Sequence, residues 1–431
     1  MSLESNLLSQ ISYIAVILLI GLLVAILSKK LKLPDVLLLI ISGIALGFFI
    51  KFENLPLNLP KEFIAGLGIF ALVLIVFEST TGMRFRELDW FTKDSLKVTF
   101  SSVFFMVVLF TLGVWGVLFR FSQEGMLPSA IFGVLMAGTA PDVILSLLKK
   151  SKNKVVEVLE IESIINTPVV VLLPLLVIEI GREFTSGIVS GFLSQVLVNI
   201  ITGIGTGVVV GLVLFKAMKN AYSEIYSPIA VIAAALVSYS LAETIGGNGI
   251  LAVTTLGLFF GNLEIRQKVS LLRFESVLAT LLRVLIFVLI GAIIEFPLNL
   301  WFYINSLILF ALYLLVRWIS LEVSARNFTR RERIFMTLSA SKGLPVIIVT
   351  FILATVLGGF ESVLNYILII VLYSLLLAAL TSKFGMGLIE EDRTITAVKK
   401  DIEMKKKKIE LAKQKIKEDK KKIVNAKNGR K

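Results

Sequence analysis

The chain of 431 residues contains neither cysteine nor histidine. Without cysteine there is no disulfide, no thiolate nucleophile and no Cys-ligated metal. Without histidine the usual imidazole proton switch is missing. Any proton chemistry must therefore run on Asp, Glu or Lys. Charge is scarce too. Charged residues make up 17% of the chain, against about 25% in soluble globular proteins. No nucleophile–base pair and no metal motif is visible, so neither an enzyme nor a cofactor is expected. The start, "MSLESNLLSQ", is acidic and polar; it lacks the basic opening and small-residue cleavage site of a signal peptide.

What the chain has in excess is apolar length. Its mean hydropathy is +0.90. Apolar runs of about 18 to 25 residues recur, each long enough to cross about 30 Å of hydrocarbon. A soluble α/β protein with buried strands would instead show short apolar runs between polar helices. The expected fold class is an all-α polytopic membrane protein with about 13 transmembrane helices between residues 11 and 384, counted by apolar length. Connecting loops alternate in charge. "SKKLK" (28–32), 84–97, "KKSKNK" (149–154), 216–220, 266–273 and "RNFTRRER" (326–333) hold about 20 Lys and Arg, the loops between them about 4. The basic set is expected in the cytoplasm, which puts the N-terminus outside and the C-terminus inside a cell membrane. The membrane domain is expected over 1–386. A Lys-rich cytoplasmic tail follows over 387–431, with Ile402, Ile409, Ile416 and Ile423 at heptad spacing. The net charge of +13 is then a matter of loops and tail attracted to anionic lipid rather than nucleic acid.

Ionisable residues inside the apolar runs are the informative minority. A charge at mid-bilayer costs about 2.5–3.5 kcal/mol on the insertion scale and normally faces a partner or a water-filled cavity. Glu78 and Arg317 lie near span ends, where snorkelling is the expectation. Arg283 lies deeper and calls for a buried partner. Asp142, Glu162 and Lys342 each sit beside a helix irregularity. Asp142 follows Gly138, Thr139 and Pro141. Glu162 lies in "EIESIINTPVVVLLP" (160–174), where Ser163, Asn166 and Thr167 share one helix face. Lys342 lies in "LSASKGLPVIIV" (338–349), with Gly343 and Pro345. Broken helices expose backbone groups and dipole ends at mid-membrane, which is how transporters build ion sites. These breaks fall in the fifth and twelfth expected spans, seven apart, the spacing of equivalent positions in two inverted repeats.

Five stretches then resemble one family. "LPDVLLLIISGIALG" (33–47), "LVLIVFESTTGMRFREL" (72–88), "GGNGILAVTTLGLFFGN" (246–262), "LIFVLIGA" (285–292) and "RERIFMTLSASKGLPVIIV" (331–349) resemble, in order and spacing, the monovalent cation:proton antiporters, nearest to the NhaP type. The resemblance implies 13 helices with two discontinuous helices crossing near the ion site, and a homodimer. In the family the fifth span carries Thr-Asp-Pro; Thr139 and Pro141 match, but Ala140 takes the aspartate's place. The sixth span carries Glu-Ser, two residues, then Asn-Asp; Glu162, Ser163 and Asn166 match, and Thr167 replaces the aspartate. Lys342 stands for an arginine that pairs with the glutamate.

The functional expectation is a secondary transporter exchanging sodium, or else potassium, for protons by alternating access. Asp142, Thr139, Ser163, Asn166 and Thr167 would bind cation and proton, with no resident metal. Pro141, Gly343 and Pro345 would break the helices. Glu162 and Lys342 would form a structural ion pair. The alternative is a non-transporting, regulatory homologue that has lost the ion-site carboxylates.

Overall fold

In hydrocarbon no water satisfies backbone N–H and C=O groups, so a long apolar run closes its hydrogen bonds within itself as a helix. That is the form the apolar runs take in the computed structural model. It describes residues 2–31, 35–53, 61–82, 93–140, 154–186, 192–220, 223, 225–263, 268–294, 297–356 and 360–384, and among them there is no strand. In chain order the helices are α1 (Ser2–Leu31), α2 (Asp35–Phe52), α3 (Lys61–Thr81), α4 (Lys93–Phe105), α5 (Thr111–Phe119) and α6 (Met126–Ala137). Then come α7 (Lys154–Ser186), α8 (Phe192–Asn220), α9 (Tyr226–Thr244), α10 (Gly249–Asn262) and α11 (Lys268–Ile293). The last are α12 (Leu300–Ser324), α13 (Arg330–Leu338), α14 (Leu344–Val356) and α15 (Glu361–Phe384). A π-turn, Met106–Phe110, joins α4 to α5 into one continuous run.

Among the described residues, nine helical runs are long and apolar enough to cross a membrane, and Ile14–Ser28, Gly249–Asn262 and Leu344–Leu353 are shorter apolar helices. The fifth expected span, 127–148, is represented by α6 alone. Pro141 and Asp142 (within 141–153) and the Lys-rich segment 387–431 lie outside the described residues. The twelfth, 333–358, is divided into α13 and α14.

Helices in lipid gain little from the hydrophobic effect and associate through close packing of small residues. The seam between α2 and α11 shows this. A Cβ added at Gly43 would lie 2.3 Å from the Val288 carbonyl, and one at Gly291 would lie 2.4 Å from the Ile40 carbonyl. The two backbones touch, and only the absence of side chains allows it. α3 packs against α11, α10 and α14, so it lies inside the bundle; Leu72, Val73, Leu74 and Phe77 are all buried. α7 packs against α4, α6 and α14. This places the polar face of α7 beside both helix breaks.

Candidate functional site

α6 stops at Ala137, and Gly138 is extended with φ −64° and ψ 133°. Its last carbonyls therefore lack the partners a continuing helix would supply. α13 stops at Leu338, and 340–343 run without helix until α14 begins at Leu344. Pro345 sits in the first turn of α14, where a missing N–H costs nothing. The two open segments complete each other. The Ala140 N–H donates to the Ser341 carbonyl at 2.9 Å, and the Ser341 hydroxyl donates to the Ala140 carbonyl at 2.7 Å. Gly343 is required by this approach: a Cβ there would fall 2.2 Å from the Ala140 Cβ.

Lys342 serves the break in α6. Its ammonium donates to the carbonyls of Met136 at 2.5 Å and Gly138 at 2.6 Å, and lies 4.4 Å from the centre of the Tyr313 ring. The Tyr313 hydroxyl in turn donates to the Ala340 carbonyl at 2.5 Å. Lys342 is fully buried, so these contacts replace the water its charge has lost.

On α7, the Asn166 amide donates to the Thr139 hydroxyl at 3.0 Å and to the Ala137 carbonyl at 3.3 Å. Asn166 is fully buried, and its Oδ1 has no hydrogen-bond partner. Gly138, Thr139, Ala140, Asn166, Thr167 and Gly343, together with three apolar neighbours, line a cavity of about 10 Å³. That is the scale of one water or one bare ion. The exposed wall is almost entirely apolar surface, with the side chains of Thr139, Asn166 and Thr167 at its edge. Thr139, Asn166, Thr167, Gly343 and Pro345, all singled out in the sequence, meet here. Ser163 does not line the pocket; its hydroxyl donates back to the Glu160 carbonyl at 2.9 Å.

The pairing expected of Glu162 with Lys342 is not what forms. Glu162 is held by Arg317 of α12: Nη1 meets Oε1, and Nη2 meets Oε2 at 2.6 Å. Nη1 also donates to the Ser102 hydroxyl at 2.6 Å. Both charges are buried, at 1% and 0% exposure, so Arg317 does not snorkel. The physical reason is head-group shape. A planar guanidinium fork matches both oxygens of a carboxylate, whereas the compact ammonium of Lys342 satisfies two separate carbonyls. A sequence signal existed in the serines around Arg317. Ser306, Tyr313, Arg317 and Ser320 lie on one buried face of α12, and Ser320 contacts Ser101 and Ser102 of α4.

The other expected residues also find partners. Glu78, at the end of α3, accepts from the Ser276 hydroxyl at 2.6 Å and from Arg283 at 3.3 Å. Arg283 thus has the partner its depth required, and Glu78 is half-buried rather than turned out to solvent.

Comparison with known proteins agrees with this architecture. The family model described as "Sodium/hydrogen exchanger, transmembrane" matches residues 14–384. A low-affinity Na(+)/H(+) antiporter, NhaS1 of Synechocystis sp., is 25% identical over 408 residues, covering 87% of this chain and 74% of that one. A K(+)/H(+) antiporter, NhaP2 of Shewanella sp., is 29% identical over 171 residues, which is 38% of this chain and 29% of that relative. The solved structure of the sodium proton antiporter MjNhaP1 from Methanocaldococcus jannaschii superposes with a TM-score of 0.73 at 20% identity, covering 89% of this chain and 98% of that one. The last likeness is one of fold. The family match spans nearly the whole membrane part, and the chain belongs to the transmembrane sodium/hydrogen exchanger family.

Proposed function

We propose that the chain is a secondary active transporter that exchanges a monovalent cation for protons by alternating access, with sodium as the preferred cation and potassium as the alternative. One observation carries the reading: buried Asn166, whose Oδ1 has no partner, lines with Thr139 an ion-sized pocket where two helix breaks meet. Buried polar atoms are normally satisfied, and each exception asks for an explanation. Neutral oxygens from Thr139, Asn166 and Thr167 suit a hard cation.

The charges around the pocket say what else the site needs. Glu162 is matched by Arg317, and the Lys342 amine is occupied by the carbonyls of Met136 and Gly138. A cation entering beside Lys342 needs a carboxylate. Asp142, three residues after Thr139, is the acid nearest in sequence, and we assign it that role. One carboxylate can serve both ions. Ionised, it holds the cation with the neutral oxygens; protonated, it releases it. Competition at one group gives exchange when the site faces the two sides in turn.

The same reading places the protein in the cell membrane with its N-terminus outside. The membrane domain occupies 1–386 and the basic tail, 387–431, lies at the cytoplasmic lipid surface. A homodimer is the expected assembly.

The test is transport itself. Full-length protein is reconstituted into vesicles, a sodium or potassium gradient is imposed, and internal pH is followed. Exchange is expected for the wild type and should be abolished by Asp142→Asn. No exchange across a broad pH range sinks the transport reading, and undiminished exchange in Asp142→Asn removes Asp142 as the carrier.

A further inference from the structure

We infer that Glu275 and Glu78 form a second acid site, separate from the pocket between the helix breaks, that holds either one proton or one alkali cation. The site stands on its own geometry, not on the transport reading.

Glu275 lies near the start of α11 and is 1% exposed, yet neither of its carboxylate oxygens has a hydrogen-bond partner. It is held among other polar groups. Its neighbour in the chain, Ser276, donates to Glu78 at 2.6 Å, and Glu78 also accepts from Arg283 at 3.3 Å. Glu78 thus meets α11 at the residue beside Glu275, at the α3–α11 contact, and the guanidinium there, that of Arg283, is already engaged by Glu78.

Several other described charged groups on α11 and the elements packed against it are directed elsewhere. Lys268 donates to the carbonyls of Gly261 and Leu263. Asp35 of α2 accepts from the Val36 N–H at 2.9 Å. Glu243 of α9 accepts from the Gly249 N–H at 2.7 Å. Arg273 on α11 and Lys30 on α1 are exposed.

Two acids against one base leave a single negative charge. An ionised, unpaired carboxylate in an apolar interior is too costly to persist. It is neutralised by a proton on Glu275 or by a cation bound between the acids. The available ligands are all oxygen: two carboxylates and the Ser276 hydroxyl. Oxygen ligands select a hard ion, and a net charge of minus one matches a monovalent one. Proton and cation then exclude each other at Glu275.

The wild-type protein can be tested without any variant. Full-length protein in detergent is treated with dicyclohexylcarbodiimide, which reacts with protonated carboxyls in apolar surroundings, and the modified residue is mapped by mass spectrometry. Glu275 should be labelled in choline chloride, and labelling should fall several-fold in sodium or potassium chloride. No labelling at Glu275, or labelling indifferent to the cation, overturns the proposal. A second measurement follows proton release into weak buffer when sodium or potassium is added. In the Asp142→Asn protein, release should persist, and adding Glu275→Gln should remove it while Glu275→Asp retains it. Release unaffected by Glu275→Gln also overturns the site. Failure of vesicle exchange with cation protection intact would count against transport alone. Intact exchange with no protection would count against this site alone.

Discussion

Removing the carboxylate of Glu162 should destabilise the membrane core by about 3–5 kcal/mol, the loss expected when one partner of a buried ion pair is taken away. The contacts give a figure of the same size. Arg317 donates twice to Glu162 and once to Ser102, and its Nε has no partner. A hydrogen bond to a charged group contributes about 1.5–3 kcal/mol, so losing two costs about 3–6 kcal/mol. Glu162→Ala leaves a guanidinium at 1% exposure with a single neutral acceptor. Replacing Arg317 by Met on that background removes the stranded charge, and most of the loss should return. The measurement is a double-mutant cycle on the full chain, unfolded reversibly in mixed detergent micelles. Coupling between Glu162 and Arg317 should reach about 3 kcal/mol, the upper end for residues in one network. A parallel cycle of Glu162→Ala with Lys342→Ala should give clearly less. A loss below about 1 kcal/mol for Glu162→Ala, the size of an ordinary substitution, refutes the reasoning, as does stronger coupling to Lys342 than to Arg317.

Three further outcomes are expected. Lys342→Ala should lower stability, because the carbonyls of Met136 and Gly138 each lose a donor, at about 1–3 kcal/mol per buried group left unpaired; the same unfolding titration reads it. Gly343→Ala should destabilise by about 1–3 kcal/mol, the usual range for overpacking, since its Cβ would meet that of Ala140 at 2.2 Å; vesicle exchange should fall with it. The chain has no cysteine, so the pair Ala140→Cys with Ser341→Cys gives one defined cross-link between the breaks. Oxidation should leave cation–proton exchange intact, and a loss reversed by reductant would show that the breaks must part.

Much of the core was legible because it is announced locally. Glycine, proline and a run of small residues inside an apolar stretch mark a broken helix whatever surrounds it, and Gly343 and Pro345 lie where the second break falls. Asn166 and Thr167 could be placed on one polar helix face by helical spacing, and both line the pocket. Ser163 shares that face in sequence, but it lies a turn before Thr167 on α7 and turns its hydroxyl back to the Glu160 carbonyl. Pairing was a different problem. Glu162 and Arg317 are separated by 155 positions, and nothing local tells which of Arg283, Arg317 and Lys342 meets which acid. Arg317 was misleading for a further reason. It stands near the end of its helix, where an arginine normally turns to the interface, but the serines of α4 and α12 give it a polar interior. Glu275 was hidden by a boundary. Apolar length starts the tenth span at residue 276, while α11 begins at Lys268 and carries Glu275 inside.

The hydrogen bonds around the pocket also constrain how such a site moves. Asn166 of α7 holds Ala137 and Thr139, Lys342 holds Met136 and Gly138, and Ala140 is joined to Ser341 in both directions. Glu162, one turn before Asn166 on α7, is fastened to Arg317 of α12, and Arg317 to Ser102 of α4. Opening the pocket by separating the two breaks would expose several buried polar groups at once, each at a cost of about 1–3 kcal/mol. Rocking the linked segments together breaks none of these bonds. A transporter needs its two facing states to be close in free energy, within a few kcal/mol. The bonding therefore favours an exchange cycle in which α6, α7 and the α13–α14 break carry the pocket as one body together with α4 and α12, to which Glu162, Arg317, Ser102 and Tyr313 tie them.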